Sequence, residues 1–263
     1  MKTPNLIDTL VRKQRVFCFL IACLAGNVAF GQSLTTTNPP PWDASAAMGF
    51  TLTRGNSETL LFTGNIQAAK KWNKNEVNLG VDGVYGESNG EESAESVRGF
   101  GQFNRLFTER AFGYIRFEAL HDGIANIDYR LTISGGVGYY FIKTTNTTLR
   151  AEIGPGYIYE RNGDATVNGV FFPAHSDSYM TLRIAERFDH KFSDRVKIWQ
   201  AVEFLPQVDR FSNYIINAEI GLETSMSKHL SQQTFIQDTY HSDPAPGREE
   251  NDLKLVAAIK YKF

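Results

Sequence analysis

The sequence predicts an all-β fold, a single closed antiparallel transmembrane β-barrel of about 12 strands. Three observations carry that expectation. An apolar residue recurs at alternate positions in segment after segment from Trp42 to Phe263, the breaks in this rhythm alternate between short and long, and the final segment presents one apolar face and ends on phenylalanine. Composition agrees, because 22 Gly, 19 Phe and 11 Tyr in 263 residues suit strands with tight turns and large aromatic surfaces. A net charge of -2 excludes the basic surplus that nucleic-acid binding requires.

The chain begins with Arg12, Lys13 and Arg15, an apolar run from Val16 to Ala25, and the small-x-small sequence Ala29-Phe30-Gly31. This pattern predicts a signal peptide over residues 1–31, cut before Gln32. The run is shorter than the ~20 residues a spanning helix needs. Leu20-Ile21-Ala22-Cys23 also fits a lipobox, which leaves Cys23 open as a lipidation site. Both cysteines, Cys18 and Cys23, fall inside the leader, so the cut chain is expected to have no disulfide and no cysteine metal site. Losing four basic residues and one acidic residue with the leader makes the remainder more acidic. Residues 32–41, ending Asn38-Pro39-Pro40-Pro41, read as a tether, and residues 42–263 as the barrel.

Within the barrel the first apolar face is Trp42, Ala44, Ala46, Met48, Phe50 and Leu52. Arg54-Gly55-Asn56-Ser57-Glu58 breaks it, and Leu60, Phe62, Ile66 and Ala68 resume it. After a turn at Asn73-Lys74-Asn75 come Val77, Leu79, Val81 and Tyr85. Further strands are expected near 96–106, 112–121, 128–142, 149–160, 179–188, 195–205, 213–225, 230–241 and 252–263. Short turns fall near Asn73, Thr108, Thr145, Asp189 and Ser227. Longer loops run from Glu87 to Glu95, Arg161 to Ser178 and Ser242 to Asn251. Short turns on one rim and long loops on the other are the pattern of outer-membrane barrels. A soluble barrel would alternate too, but about 8 strands already enclose as much interior as side chains fill. A wider barrel must therefore turn its apolar face to lipid. A large β-sandwich is the alternative architecture.

In the last strand Leu253, Leu255, Ala257, Ile259, Tyr261 and Phe263 share a face. Exposed on a soluble sheet edge, that face would invite aggregation. Tyr261 and Phe263 resemble the terminal signal by which the barrel-assembly machinery recognises its clients.

Beyond periodicity, several motifs resemble a known family. They are His121-Asp122-Gly123, Asp128-Tyr129-Arg130-Leu131, Gly135-Gly136-Val137-Gly138-Tyr139, and Leu149, Glu152 and Gly154-Pro155-Gly156-Tyr157. The turn Arg54–Glu58, the loop Asp243-Pro244-Ala245-Pro246-Gly247, Asp252 and Tyr261-Lys262-Phe263 fit as well. Together they resemble the domain-of-unknown-function 481 (DUF481) family, described as salt-induced outer-membrane proteins, over about Trp42 to Phe263. The resemblance implies an outer-membrane barrel in a Gram-negative-type bacterium and brings no activity or catalytic residue.

With the apolar face outward, the expected lumen-lining residues are Arg116, Glu118, Arg130, Arg150, Glu152, Arg183, Glu203 and Glu219. Arg98, Arg187, Lys197, Glu223, Lys254 and Lys260 share their parity. They read either as a path for ions or small solutes or as ion pairs that fill the barrel. Asp122 and Arg130 are expected to form an ion pair at the mouth. The expected function is accordingly a narrow channel, or a structural or stress-response component of the envelope. No enzyme, cofactor or metal is expected, and the expected partners are outer-membrane lipid and the assembly machinery. The alternatives are a surface scaffold or a lipid hydrolase at the rim, for which His175-Ser176-Asp177 and His241-Ser242-Asp243 would be the groups to watch. Tyr139, Tyr140, Phe141, Phe107, Phe112 and Tyr261 are expected to form an interfacial girdle.

Overall fold

The computed structural model describes residues 42–53, 59–167 and 169–263. The expected signal peptide (residues 1–31), the expected tether (32–41) and the expected turn at residues 54–58 lie outside the described residues. The strands are β1 (Asp43–Thr53), β2 (Thr59–Trp72), β3 (Asn75–Ser88), β4 (Glu91–Leu106), β5 (Ala111–Asp122), β6 (Ile127–Lys143) and β7 (Thr147–Asn162). They continue as β8 (Ala165–Val167), β9 (Val170–Phe172), β10 (His175–Lys191), β11 (Val196–Pro206), β12 (Tyr214–Ser225), β13 (Leu230–His241) and β14 (Asn251–Lys262). Twelve of them close an antiparallel barrel in the order β1-β14-β13-β12-β11-β10-β7-β6-β5-β4-β3-β2, while β8 and β9 form a separate hairpin. Closure is made by β1 on β14, with Ser45 opposite Lys262 and Met48 opposite Ile259. No edge is left unpaired in the ring, which is the condition for strands to cross a membrane.

Alternation assigns the faces. Met48, Phe50, Ile115, Val137, Ile220 and Leu255 point outward and are exposed, whereas Ala47, Phe112, Trp199, Phe235 and Val256 point inward and are buried. An exposed apolar exterior around a polar interior inverts a soluble barrel and matches a lipid-facing wall. Two aromatic bands edge that wall. On the short-turn rim lie Phe107, Tyr139, Phe141, Phe192, Tyr261 and Phe263. On the long-loop rim tyrosines stack across strands, Tyr129 on Tyr159 at 5.9 Å and Tyr214 on Tyr240 at 5.8 Å.

Four expectations need correction. The stretch from Glu87 to Glu95 is not a long loop: β3 and β4 join through Asn89 and Gly90, both at positive φ (52° and 82°). That two-residue turn is what an Asn-Gly pair favours. The glutamates around it obscure the alternation because that end of the strands carries charge rather than apolar residues. The expected turn near Asp189 lies a few residues further on, where the Phe192 and Ser193 N–H groups donate to the Val196 carbonyl. Asp189 faces inward between Arg187 and Lys197, at 3.0 and 2.9 Å, and β10 runs on to Lys191. The loop after β7 holds the β8–β9 hairpin, and β10 begins at His175 rather than near 179. Finally, Phe112 and Tyr140 have inward parity and are buried, so they belong to the lumen and not to the girdle.

One close approach explains part of the glycine run. A Cβ on Gly136 would lie 2.6 Å from the Cα of Gly154 on the next strand. Pro155, with no N–H to give, follows directly, and the β6–β7 pairing skips this patch between Ser134–Gly156 and Val137–Ile153.

Candidate functional site: the barrel lumen

All eight expected lumen-lining residues take the inward parity of their strands, and the structure links most of them into one belt. Asn104 (β4) donates to Glu76 (β3) at 3.3 Å. Gln102 (β4) donates to Asn104 at 2.9 Å and to Glu152 (β7) at 3.0 Å. Arg183 (β10) donates to Glu152 at 2.7 Å and to Glu203 (β11) at 2.6 Å. Asn217 (β12) donates to Glu203 at 3.1 Å, and Thr239 (β13) donates to Asn217 at 3.3 Å. The belt touches seven of the barrel strands, and its β4-to-β7 step spans β5 and β6, so it cuts across the lumen as a chord.

The belt holds because each charge meets a partner. Arg183 and Glu152 expose only 6% and 4% of their side chains, and the ring of Tyr114 lies 5.1 Å from the Arg183 guanidinium. Arg150 approaches Glu152 from its other side at 3.6 Å. Arg116 joins through Gln102 at 3.4 Å and pairs with Glu118 at 2.6 Å. A guanidinium shared between two carboxylates satisfies the geometry that makes Arg the residue for buried pairing.

Toward the short-turn rim the lumen becomes aromatic. Phe112 packs on Tyr140 at 5.2 Å, with Tyr114 and Leu106 beside them, and the Tyr140 hydroxyl donates to Glu76 at 2.8 Å. Gly138 is needed here, since a Cβ would run into the Phe112 ring. Elsewhere in the lumen Trp199, Phe235, Ala47, Val256 and Ala258 form a second cluster. Trp199 donates through its indole N–H to Glu219, which also accepts from Gln237 at 2.8 Å.

At the long-loop mouth the expected Asp122–Arg130 pair is not formed. Arg130 donates to Glu160 instead, and two of its guanidinium nitrogens lie 3.4 Å from the ring nitrogens of His241. His241 sits on β13, nearly opposite β6 in the ring, so this contact spans the mouth. Asp122 turns to its own loop and accepts from the Ala125 N–H at 2.9 Å. The physical reason is reach: a bulge between Leu120 and Asp122 shifts the register at the end of β5, while Glu160 stands directly opposite Arg130 on β7.

The rim histidines have other partners. His175 meets Asp177 at 3.3 Å and Asn162 at 3.5 Å. The Ser242 hydroxyl accepts from the Tyr214 N–H and donates to the Tyr214 carbonyl. The sequence reading misses Glu76, Gln102, Asn104, Asp82 and Glu160, and it considers His241 for a rim hydrolase, not as a partner of Arg130. Neutral amides give no charge signal, but the inward parity of Gln102 and Asn104 was available to find them.

The family model described as "Protein of unknown function, DUF481" matches residues 46–263. No curated protein matches the sequence. Similar solved structures include the translocator domain of the autotransporter NalP from Neisseria meningitidis, 12% identical, covering 97% of this chain and 98% of that one with a TM-score of 0.47. The NanC porin is 6% identical over 84% and 96% of the two chains, with a TM-score of 0.44. The KdgM porin is 9% identical over 85% and 99%, with a TM-score of 0.40.

Proposed function

Since this chain belongs to the DUF481 family of proteins of unknown function, membership brings no activity, and we propose one from the lumen. The protein is a self-plugged outer-membrane barrel, a structural component of the envelope whose interior is closed to solutes of porin size. The belt through Glu152, Arg183 and Glu203 carries this reading, because it ties non-adjacent strands across the lumen with partnered charges. The Arg130–His241 contact closes the mouth above it. We assign no catalytic role to the rim histidines: His175 faces Asp177 and Asn162 through Nε2, and both ring nitrogens of His241 face Arg130.

The leader over residues 1–31 delivers the chain, and Tyr261 and Phe263, exposed side by side at 5.3 Å, serve as the terminal signal for the assembly machinery. A second reading, a narrow ion path beside the belt, is favoured by lumen-facing Gln67, which is exposed, and by the one-third exposure of the Asp82–Arg98 pair. Swelling of liposomes in graded sugars tests the main reading. The refolded protein should admit sugars no faster than protein-free liposomes, and swelling at porin rates would overturn the plug.

A further inference from the structure

The lipid-facing wall is not uniform. Between the two aromatic bands, the described outward positions of β14 and β1 through β7 are occupied by apolar residues, glycine, alanine, proline or tyrosine. On β10 through β13 the same band is interrupted by Glu186, Gln200, Thr234 and Asp238. Glu186 shares its parity with exposed Ile184, and Gln200 stands between Ile198 and Val202 on the same face. Both are thus surrounded by lipid-facing apolar positions.

Among the described residues, neither the Glu186 nor the Gln200 side chain makes a hydrogen bond or ion pair. Arg187, the next residue, points to the other face and pairs with Asp189. The Asp238 Oδ1 is also without a partner. Polar groups left unpaired in hydrocarbon are costly and ordinarily find partners, yet here they gather on one wall. Small residues surround them. Ala151, Glu186, Val202, Ala218 and Asp238 stand opposite one another along a single row from β7 to β13, and alanines let a second surface approach closely.

We propose that the β10–β13 wall is the face through which a second copy of this chain docks in the membrane. Glu186 lies opposite Val202 and Gln200 opposite Phe188, so the two polar side chains are diagonal neighbours on adjacent strands. A two-fold axis along the membrane normal, running between β10 and β11, sets the carboxyl of one copy against the amide of the other, twice. The amide donates and the carboxyl accepts, a complementarity that neither lipid tails nor a uniformly apolar partner provides.

The full chain in native membranes tests this. Val202→Cys should give a chain-chain dimer with a short bis-maleimide cross-linker, and Val81→Cys, on β3, should not. Glu186→Leu combined with Gln200→Leu makes the wall more lipid-like, so folding and heat-modifiability are retained while the cross-linked fraction from Val202→Cys falls several-fold. Three outcomes would overturn the proposal: equal cross-linking from both cysteines, an adduct to a different protein in place of the dimer, or a dimer that survives the double leucine variant.

Discussion

Two ion pairs inside the same barrel show how position sets the worth of a charge. Arg183 is held between Glu152 and Glu203 with 6% of its side chain exposed. Arg98 forms its ion pair with Asp82, at 3.0 Å, with 30% and 33% of the two side chains exposed. Water can take over from Asp82 if it is lost, whereas nothing replaces a carboxylate of the belt. The comparison sets an enclosed chord, where one guanidinium serves two carboxylates, against a flank whose ion pair keeps about a third of its side-chain exposure.

The largest effect should come from breaking the chord. Arg183→Ala leaves Glu152 and Glu203 buried without their shared cation and should cost about 3–5 kcal/mol, read as a lower urea midpoint of the folded barrel in detergent or bilayers. Next, Ile259→Arg puts a charge on the lipid face, where near the midplane it costs about 2–4 kcal/mol. The mirror substitution, on the lumenal face of the same strand, is at Lys254. Lys254 is lumenal and already polar, whereas Ala258 is packed in the cluster with Trp199, where an arginine would overfill it. Lys254→Arg should leave unfolding unchanged. Smaller still, Arg98→Gln should cost about 0–1 kcal/mol, the value of a partly exposed pair. Smallest is the mouth: a double-mutant cycle between Asp122→Asn and Arg130→Gln should give coupling near zero, while one between Glu160→Gln and Arg130→Gln should give a clear coupling energy.

Much of the barrel is legible in the sequence because a membrane wall enforces a strict period of two. The face Leu253, Leu255, Ala257, Ile259, Tyr261 and Phe263 is outward to the last residue, and the parity of Arg183 and Glu203 follows from the same count. What misleads is local chemistry at the rims. Four glutamates around Asn89-Gly90 look like a loop, and Asp189 looks like a turn until its partners Arg187 and Lys197 are seen. Partner choice is harder again. Asp122 and Arg130 are close in sequence and opposite in charge, yet Glu160 wins because strand pairing places it directly across. Sequence distance carries no information about which strands meet across the lumen, so neither the Gln102–Glu152 chord nor the Arg130–His241 contact could be read in advance.

The central claim is that the Glu152–Arg183–Glu203 belt closes the barrel, and conductance across a planar bilayer tests it most directly. The wild-type protein should show no porin-sized openings, and a variant carrying Glu152→Ala with Arg183→Ala should open steps that the wild type lacks. Small cation- or anion-selective steps that shift with Arg98→Gln would locate a narrow path along the more exposed flank and leave the belt in place. Large, stable openings in the wild type, unchanged when the belt is removed, would contradict the account.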